Sequence, residues 1–103
     1  MLVNFVMGQA KFVWQTLSER GSAAFNLWMA KPEGSCQDYG AYTNITRLND
    51  RPIPATGESN TGKSYLQEVA GAIAGYCYGV EEIDVEGAST FYIIGDGIGM
   101  AID

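Results

Sequence analysis

The stretch SYLQEVAGAIAGYCY, residues 64–78, decides the predicted fold because it carries the clearest helical pattern of the chain. Its apolar residues recur at helical spacing and form one stripe, as on a helix that packs against a core. Ser64 and Gln67 also fit the S-x-x-Q capping box found at helix starts. We therefore expect one main helix over residues 65–78. The residues of its apolar stripe are Leu66, Val69, Ala70, Ile73 and Cys77.

Three segments before this helix are rich in β-branched and aromatic residues, which is typical of strands. Turn sequences at residues 18–21 and 31–34 separate them, so we expect an antiparallel meander. Helical spacing within residues 2–17 leaves a helix as the alternative for the first segment. The three segments are KFVWQTL (11–17), AAFNLWMA (23–30) and AYTNITRL (41–48).

After the helix, residues 80–86 and 90–94 predict a hairpin, and the tail GIGMAID (97–103) predicts a short last strand. All 103 residues are expected to form a single α+β domain, residues 1–103. Its mainly antiparallel sheet would combine the N-terminal meander with the C-terminal hairpin, and the helix over residues 65–78 would pack on that sheet.

Charge is distributed unevenly along the chain. Six basic and five acidic residues precede Ser64, whereas residues 64–103 hold seven acidic residues and no basic one, so the two parts carry +1 and −7. Such an acidic second part should repel phosphate backbones, so we expect no nucleic-acid binding. Its sign suits a basic protein partner.

The two cysteines, Cys36 and Cys77, permit one disulfide, and the sequence leaves open whether they are bridged. Thiols in a chain with enough apolar residues for a core are more often reduced, so we expect a cytoplasmic protein. No run is long enough to span a bilayer, and the start lacks the pattern of a signal peptide. We therefore expect no membrane association.

Residues 57–64, GESNTGKS, match the phosphate-loop pattern G-x-x-x-x-G-K-[ST]. The context argues against nucleotide binding, because RPIP (51–54) precedes the match where such loops require a buried strand. The capping box also starts the predicted helix after Lys63 rather than at it. A weaker anion site at Gly62, Lys63 and Ser64 remains a candidate.

The predicted helix carries glycines at every fourth position, on the side away from its apolar stripe. Each mid-helix glycine costs about 1 kcal/mol relative to alanine, so we infer that these positions admit a second backbone closely. We expect a homodimer in which two such helices cross. The alternatives are tolerated surface glycines and a helix enclosed by its own fold. The predicted interface comprises Gly71, Gly75, Gly79, Glu68 and Tyr78.

The chain has no histidine, which excludes Ser-His and Cys-His catalysis and His-ligated metal sites. We expect no metal and no cofactor, and the residues leave enzymatic activity open while favouring its absence; a weak calcium or magnesium site formed by the acids of residues 80–86 with Asp96 is the alternative. In VEEIDVE (80–86), strand alternation places Glu82, Asp84 and Glu86 on one face. These carboxylates predict a contact with a basic partner, and exposed tyrosines are expected to add contact area.

Taken together, these features predict a small acidic, non-enzymatic protein-interaction module that forms a homodimer. The alternative is a small-ligand-binding protein or simple enzyme with a pocket between the sheet and the helix.

Overall fold

In the computed structural model, the described residues form nine β-strands and no helix. The strands are β1 Leu2–Val6, β2 Lys11–Gln15, β3 Ser22–Pro32, β4 Tyr42–Arg47, β5 Ile53–Pro54, β6 Ser64–Glu68, β7 Cys77–Asp84, β8 Ser89–Ile94 and β9 Met100–Ile102. The structure describes residues 2–6, 11–19, 21–32, 42–57, 61–73, 75–94 and 100–102.

The strands are arranged in two sheets. Sheet A has the strand order β6-β2-β1-β9, and sheet B has the order β4-β3-β7-β8 with the short β5 also paired to β3. Every described pairing is antiparallel. The predicted α+β fold with one main helix is therefore wrong, because the described chain is a two-sheet, all-β structure.

The core lies between the two sheets. Aromatic rings from sheet A meet rings from sheet B across this space: Phe5 stacks on Tyr78 with centroids 4.1 Å apart, and Trp14 meets the edge of Phe25 at 5.7 Å. Because the described residues contain no helix, they do not form the expected pocket between a sheet and a helix. The core residues are Phe5, Phe12, Trp14, Phe25, Leu27, Met29, Tyr78 and Val80.

The predicted helix over residues 65–78 is replaced by β6, a glycine-containing connection and the start of β7. Gly71 and Gly75 have φ of 82° and 84°, in the left-handed region that a right-handed helix cannot include. Ser64 begins a strand instead of capping a helix. The ring of Tyr65 stacks on Trp14 at 5.1 Å, so tertiary packing overrides the local helical pattern.

Tyr78 fixes the connection that precedes β7. Its ring is only 1% exposed, and its hydroxyl both accepts a hydrogen bond from the amide of Ile73 (2.7 Å) and donates one to the carbonyl of Ile73. A tyrosine that bonds back to the backbone a few residues upstream is known from β-sandwiches as a tyrosine corner. This contact ties the start of β7 to the backbone of Ile73.

The strand predictions before residue 50 are confirmed in position and in part of the pairing, since β3 and β4 pair antiparallel as expected. Strands occur at Lys11–Gln15, Ser22–Pro32 and Tyr42–Arg47, and the helical alternative for residues 2–17 is wrong because β1 pairs with β2. The expected pairing of the first segment with the second is wrong, since β2 belongs to sheet A and β3 to sheet B. Burial of two aromatic side chains of β2 against sheet B requires this separation.

The predictions for the C-terminal part are confirmed. Strands β7 and β8 form the expected hairpin, and Gly87 in its turn has φ of 89°. Met100–Ile102 forms the short last strand and pairs with β1 at the edge of sheet A.

Candidate functional site

The described part of the phosphate-loop pattern leads into a strand. The amide of Thr16 donates to the carbonyl of Lys63 (2.9 Å), and the amide of Lys63 donates to Oγ1 of Thr16 (2.9 Å). These bonds extend the β2–β6 pairing by one residue, and Ser64 then begins β6. A phosphate loop must open a helix whose amides face the ligand, and this one does not.

Both pattern glycines have structural reasons unrelated to phosphate. Gly62 has φ of 65°, and a Cβ there would overlap the carbonyl oxygen of Thr16. The amide of Gly57 donates to Oε1 of Glu19 (2.7 Å), and a Cβ at Gly57 would overlap that carboxylate. Gly62 is therefore required by a positive φ and a close backbone approach, and Gly57 gives room to the carboxylate of Glu19, so the structure accounts for both pattern glycines without a phosphate.

Glu19 is buried at the centre of a hydrogen-bonded cluster. We call this cluster the clasp and define it as Thr16, Glu19, Gly57, Lys63 and Tyr65. Its carboxylate accepts hydrogen bonds from Thr16 Oγ1 (2.5 Å) and the Tyr65 hydroxyl (2.7 Å) in addition to the Gly57 amide. Burial raises the pKa of Tyr65, and the neighbouring carboxylate raises it further. The donors come from three separate segments, so the clasp ties those segments together.

The candidate anion site at Gly62, Lys63 and Ser64 lacks two features expected of such a site: unbonded donor groups on Lys63 and a helix N-terminus at Ser64. The amide of Lys63 is bonded to Thr16, and its Nζ donates to Thr56 Oγ1 (2.7 Å) while lying 5.6 Å above the ring of Tyr65. Ser64 lies in a strand and not at a helix N-terminus. Anion binding here stays a prediction.

The residues of the predicted dimer interface do not share a helix face. Gly71 and Gly75 lie in the β6–β7 connection, Gly79 is buried in β7, and Glu68 ends β6. Tyr78 belongs to the core and is not available to a partner. The crossing-helix geometry is therefore wrong, whereas a role of the exposed Glu68, Gly71 and Gly75 in a homodimer stays a prediction.

The three carboxylates of the predicted partner-binding face differ in their surroundings. Glu82 accepts from Ser22 Oγ (3.0 Å), and Asp84 accepts from the amides of Glu86 and Ala88 (both 2.9 Å), which stabilises the β7–β8 turn. Burial raises the pKa of Tyr92, as does the nearby charge of Glu82. Only Glu86 of the three acids is exposed.

Sequence reasoning missed Glu81, a buried carboxylate in the middle of β7. It accepts hydrogen bonds from Trp28 Nε1 (2.9 Å), Asn26 Nδ2 (3.1 Å) and Ser89 Oγ (2.5 Å). These donors come from β3 and β8, the two neighbours of β7, so only the register of sheet B brings them together. The one sequence signal was strand alternation, which places Glu81 on the same face as the apolar Ile83 and Val85.

The environment of Glu81 favours its charged form. Burial alone would raise its pKa. The three hydrogen bonds and the positive charge of Arg47 outweigh burial, and they hold the pKa of Glu81 below its usual value. The ionised carboxylate fixes the indole of Trp28 on the outer face of sheet B.

Phe91 lies directly opposite Glu81 in the β7–β8 register and is 55% exposed. At the turn of the same hairpin, Val85 is 72% exposed. Tyr39 and the side chain of Tyr42 lie outside the described residues, so exposure of these two tyrosines stays a prediction. The four tyrosine side chains that the structure describes are buried or half-buried. These are Tyr65, Tyr76, Tyr78 and Tyr92.

Cys77 is disulfide-bonded, which corrects the expectation of a reduced thiol. The chain's other cysteine, Cys36, lies outside the described residues.

In the described part of the chain, no three acidic or cysteine side chains are placed to hold a metal ion together. None of its elements is a helix with the length and apolarity needed to cross a membrane.

No protein-family model, curated protein or solved structure matches this chain. Its function must therefore be argued from its own residues.

Gly62→Ala should destabilise the protein more than Gly71→Ala. Both glycines have positive φ, so each substitution carries about 1–2 kcal/mol of backbone strain. Only position 62 adds an overlap with Thr16, because a Cβ at position 71 meets nothing within 4 Å. We expect an extra loss of at least about 2 kcal/mol in the free energy of unfolding, measured by urea denaturation. Equal losses would contradict the close approach.

Glu81→Gln should lower the free energy of unfolding by about 2 kcal/mol at neutral pH, because charge-assisted hydrogen bonds are lost. The folded pKa of Glu81 lies below its unfolded value, so its contribution is complete above about pH 4.3 and disappears as the pH falls through the folded pKa. The difference between wild type and variant should shrink accordingly in denaturation curves recorded at successive pH values.

Glu86→Gln is the matched control, since Glu86 is exposed on the same hairpin. Its effect should stay within about 0.5 kcal/mol. A loss from Glu81→Gln that is unchanged down to strongly acidic pH would contradict an ionised Glu81.

Proposed function

We propose that this protein is a non-enzymatic interaction module whose β7–β8 hairpin binds a basic, partly apolar segment of another protein. The hairpin Cys77–Ile94 has four acidic residues and no basic one, so its net charge is −4. The observation that carries the proposal is the pairing of this charge with the exposed apolar side chains of Val85 and Phe91. Surfaces that combine an aromatic anchor with surrounding charge are typical of protein interfaces.

Internal hydrogen bonds support the hairpin as a rigid contact surface. The carboxylate of Asp84 bonds two amides of the turn, and the amide of Val85 donates to the carbonyl of Gly21 (2.8 Å). The second bond anchors the hairpin to the connection before β3. A surface that is already ordered loses little conformational entropy on binding.

The outer face of sheet B continues this surface. The hydrogen bond to Glu81 holds the half-buried Trp28 in place. Phe91 lies on the same face of the sheet, because Trp28 and Phe91 pair with β7 residues that are two positions apart and so point to the same side. Trp and Phe contribute large apolar area with few rotatable bonds. We infer that a partner's apolar side chain packs on Phe91 while its basic groups face Glu86.

The disulfide at Cys77 bears on where the protein works. The cytoplasmic location expected from reduced cysteines loses its basis, because structural disulfides persist in oxidising compartments. We propose that the protein acts in such a compartment.

A cationic amphipathic peptide of alternating Lys and Leu, titrated into the ¹⁵N-labelled protein, tests the binding surface. Chemical-shift changes should concentrate on residues 85–91. Binding should weaken as salt rises from about 0.1 M to about 1 M, because the Debye length falls from about 10 Å to about 3 Å. Phe91→Ala should weaken binding about tenfold.

Leu17→Ala is the matched control, since Leu17 is 70% exposed but lies outside the hairpin. It should leave the affinity unchanged, and a peptide of alternating Glu and Leu should not bind. The proposal fails if both peptides bind equally, or if Phe91→Ala and Leu17→Ala have the same effect.

Thiol labelling tests the compartment. Protein that is purified from its natural source with N-ethylmaleimide present should carry no label before reduction. Cysteines labelled in that sample would show that the disulfide is not the working state.

A further inference from the structure

We propose that the free edge of β6 pairs with β6 of a second copy of the chain, antiparallel and centred on Leu66. This edge is separate from the β7–β8 hairpin, so a dimer leaves the partner surface of each copy accessible. Strand β6 is the outermost strand of sheet A and pairs only with β2 among the described strands.

The backbone direction of β6 follows from the clasp. Both the amide and the carbonyl of Lys63 are bonded to Thr16, so they point toward β2. Because these directions alternate along an antiparallel strand, Tyr65 and Gln67 also bond toward β2. The amides and carbonyls of Ser64, Leu66 and Glu68 therefore point to the free edge.

This set of groups is self-complementary about a two-fold axis at Leu66. With Leu66 opposite Leu66 of the second copy, Ser64 of each copy faces Glu68 of the other, and all three residues become hydrogen-bonded pairs. A register shifted by two residues in either direction leaves one of these residues without its pair. The self-paired register is thus the one that satisfies the whole edge.

Side chains on the edge agree with this register. Leu66 is 58% exposed, and its apolar side chain would meet its own copy at the axis. Each Glu68 would face the hydroxyl of Ser64, next to the basic Lys63 of the second copy. The two Glu68 side chains would be kept at least about 13 Å apart along the strands, so like charges are not opposed.

The other sheet edges are less suited to pairing. Strand β4 has a register shift between Met29 and Lys31 of its partner, and such bulges block edge association. Strand β9 has only three residues, and β8 lies against β9 of the other sheet. Strand β6 has a continuous five-residue register, no proline and no bulge.

Sedimentation equilibrium over a wide range of protein concentration tests the pairing. The mass should rise from the 11.1 kDa of one chain to twice that value. Leu66→Lys should raise the dimer dissociation constant at least about tenfold, because it places two like charges at the axis. Ile45→Lys, on the edge of β4 and with Ile45 61% exposed, should leave it unchanged.

Amide hydrogen exchange identifies the edge directly. In the dimer the amides of Ser64, Leu66 and Glu68 should exchange more slowly as concentration rises, whereas those of Tyr65 and Gln67 should not change. Leu66→Pro provides a second variant that keeps the β2–β6 ladder, because the Leu66 amide points to the free edge. It should also prevent dimer formation.

A constant mass of one chain at every concentration would overturn the proposal, and so would a dimer that Leu66→Lys and Leu66→Pro leave intact. A doubled mass that is lost in both Leu66 variants and retained in Ile45→Lys would support it. Concentration-dependent exchange confined to the three outward amides would support it independently of the variants.

Discussion

The contact between Tyr78 and Phe5 joins the two sheets, and much of the remaining structure depends on it. The ring of Tyr78 stacks on Phe5 while its hydroxyl bonds both backbone groups of Ile73. One side chain thus positions β7 against sheet A and fixes the connection from β6. Since β7 is a central strand of sheet B, the placement of Glu81 and of the β7–β8 hairpin follows from the same contact.

The sequence allowed local conformation to be predicted better than pairing. Dense β-branched and aromatic residues located β2, β3 and β4, and the turn around Gly87 located the last hairpin. The separation of β2 from β3 into different sheets was not predictable, because it depends on which aromatic faces meet across the core. The helix over residues 65–78 was wrongly predicted, since its apolar spacing also suits a strand that is followed by a glycine-containing connection.

The hydrogen-bond partners of two buried carboxylates could not be predicted from the sequence either. Glu19 and Glu81 each collect donors from segments that are far apart in sequence, and those donors replace the water that a buried carboxylate loses. Their partners depend on sheet register, so neither acid was singled out as buried. The phosphate-loop match failed for a related reason, because glycine spacing records close backbone approach without specifying what approaches.

The pairing of β1 with β9 has a consequence for how the chain is made. Leu2 lies opposite Ile102, so sheet A brings together the two ends of the described chain. During synthesis β1 emerges well before β9, so this edge of β1 lacks its partner strand until β9 has been made. Closing so large a loop carries an entropic cost and slows folding in proteins dominated by distant contacts. The β1–β9 pairing is therefore expected to form late in the folding of sheet A.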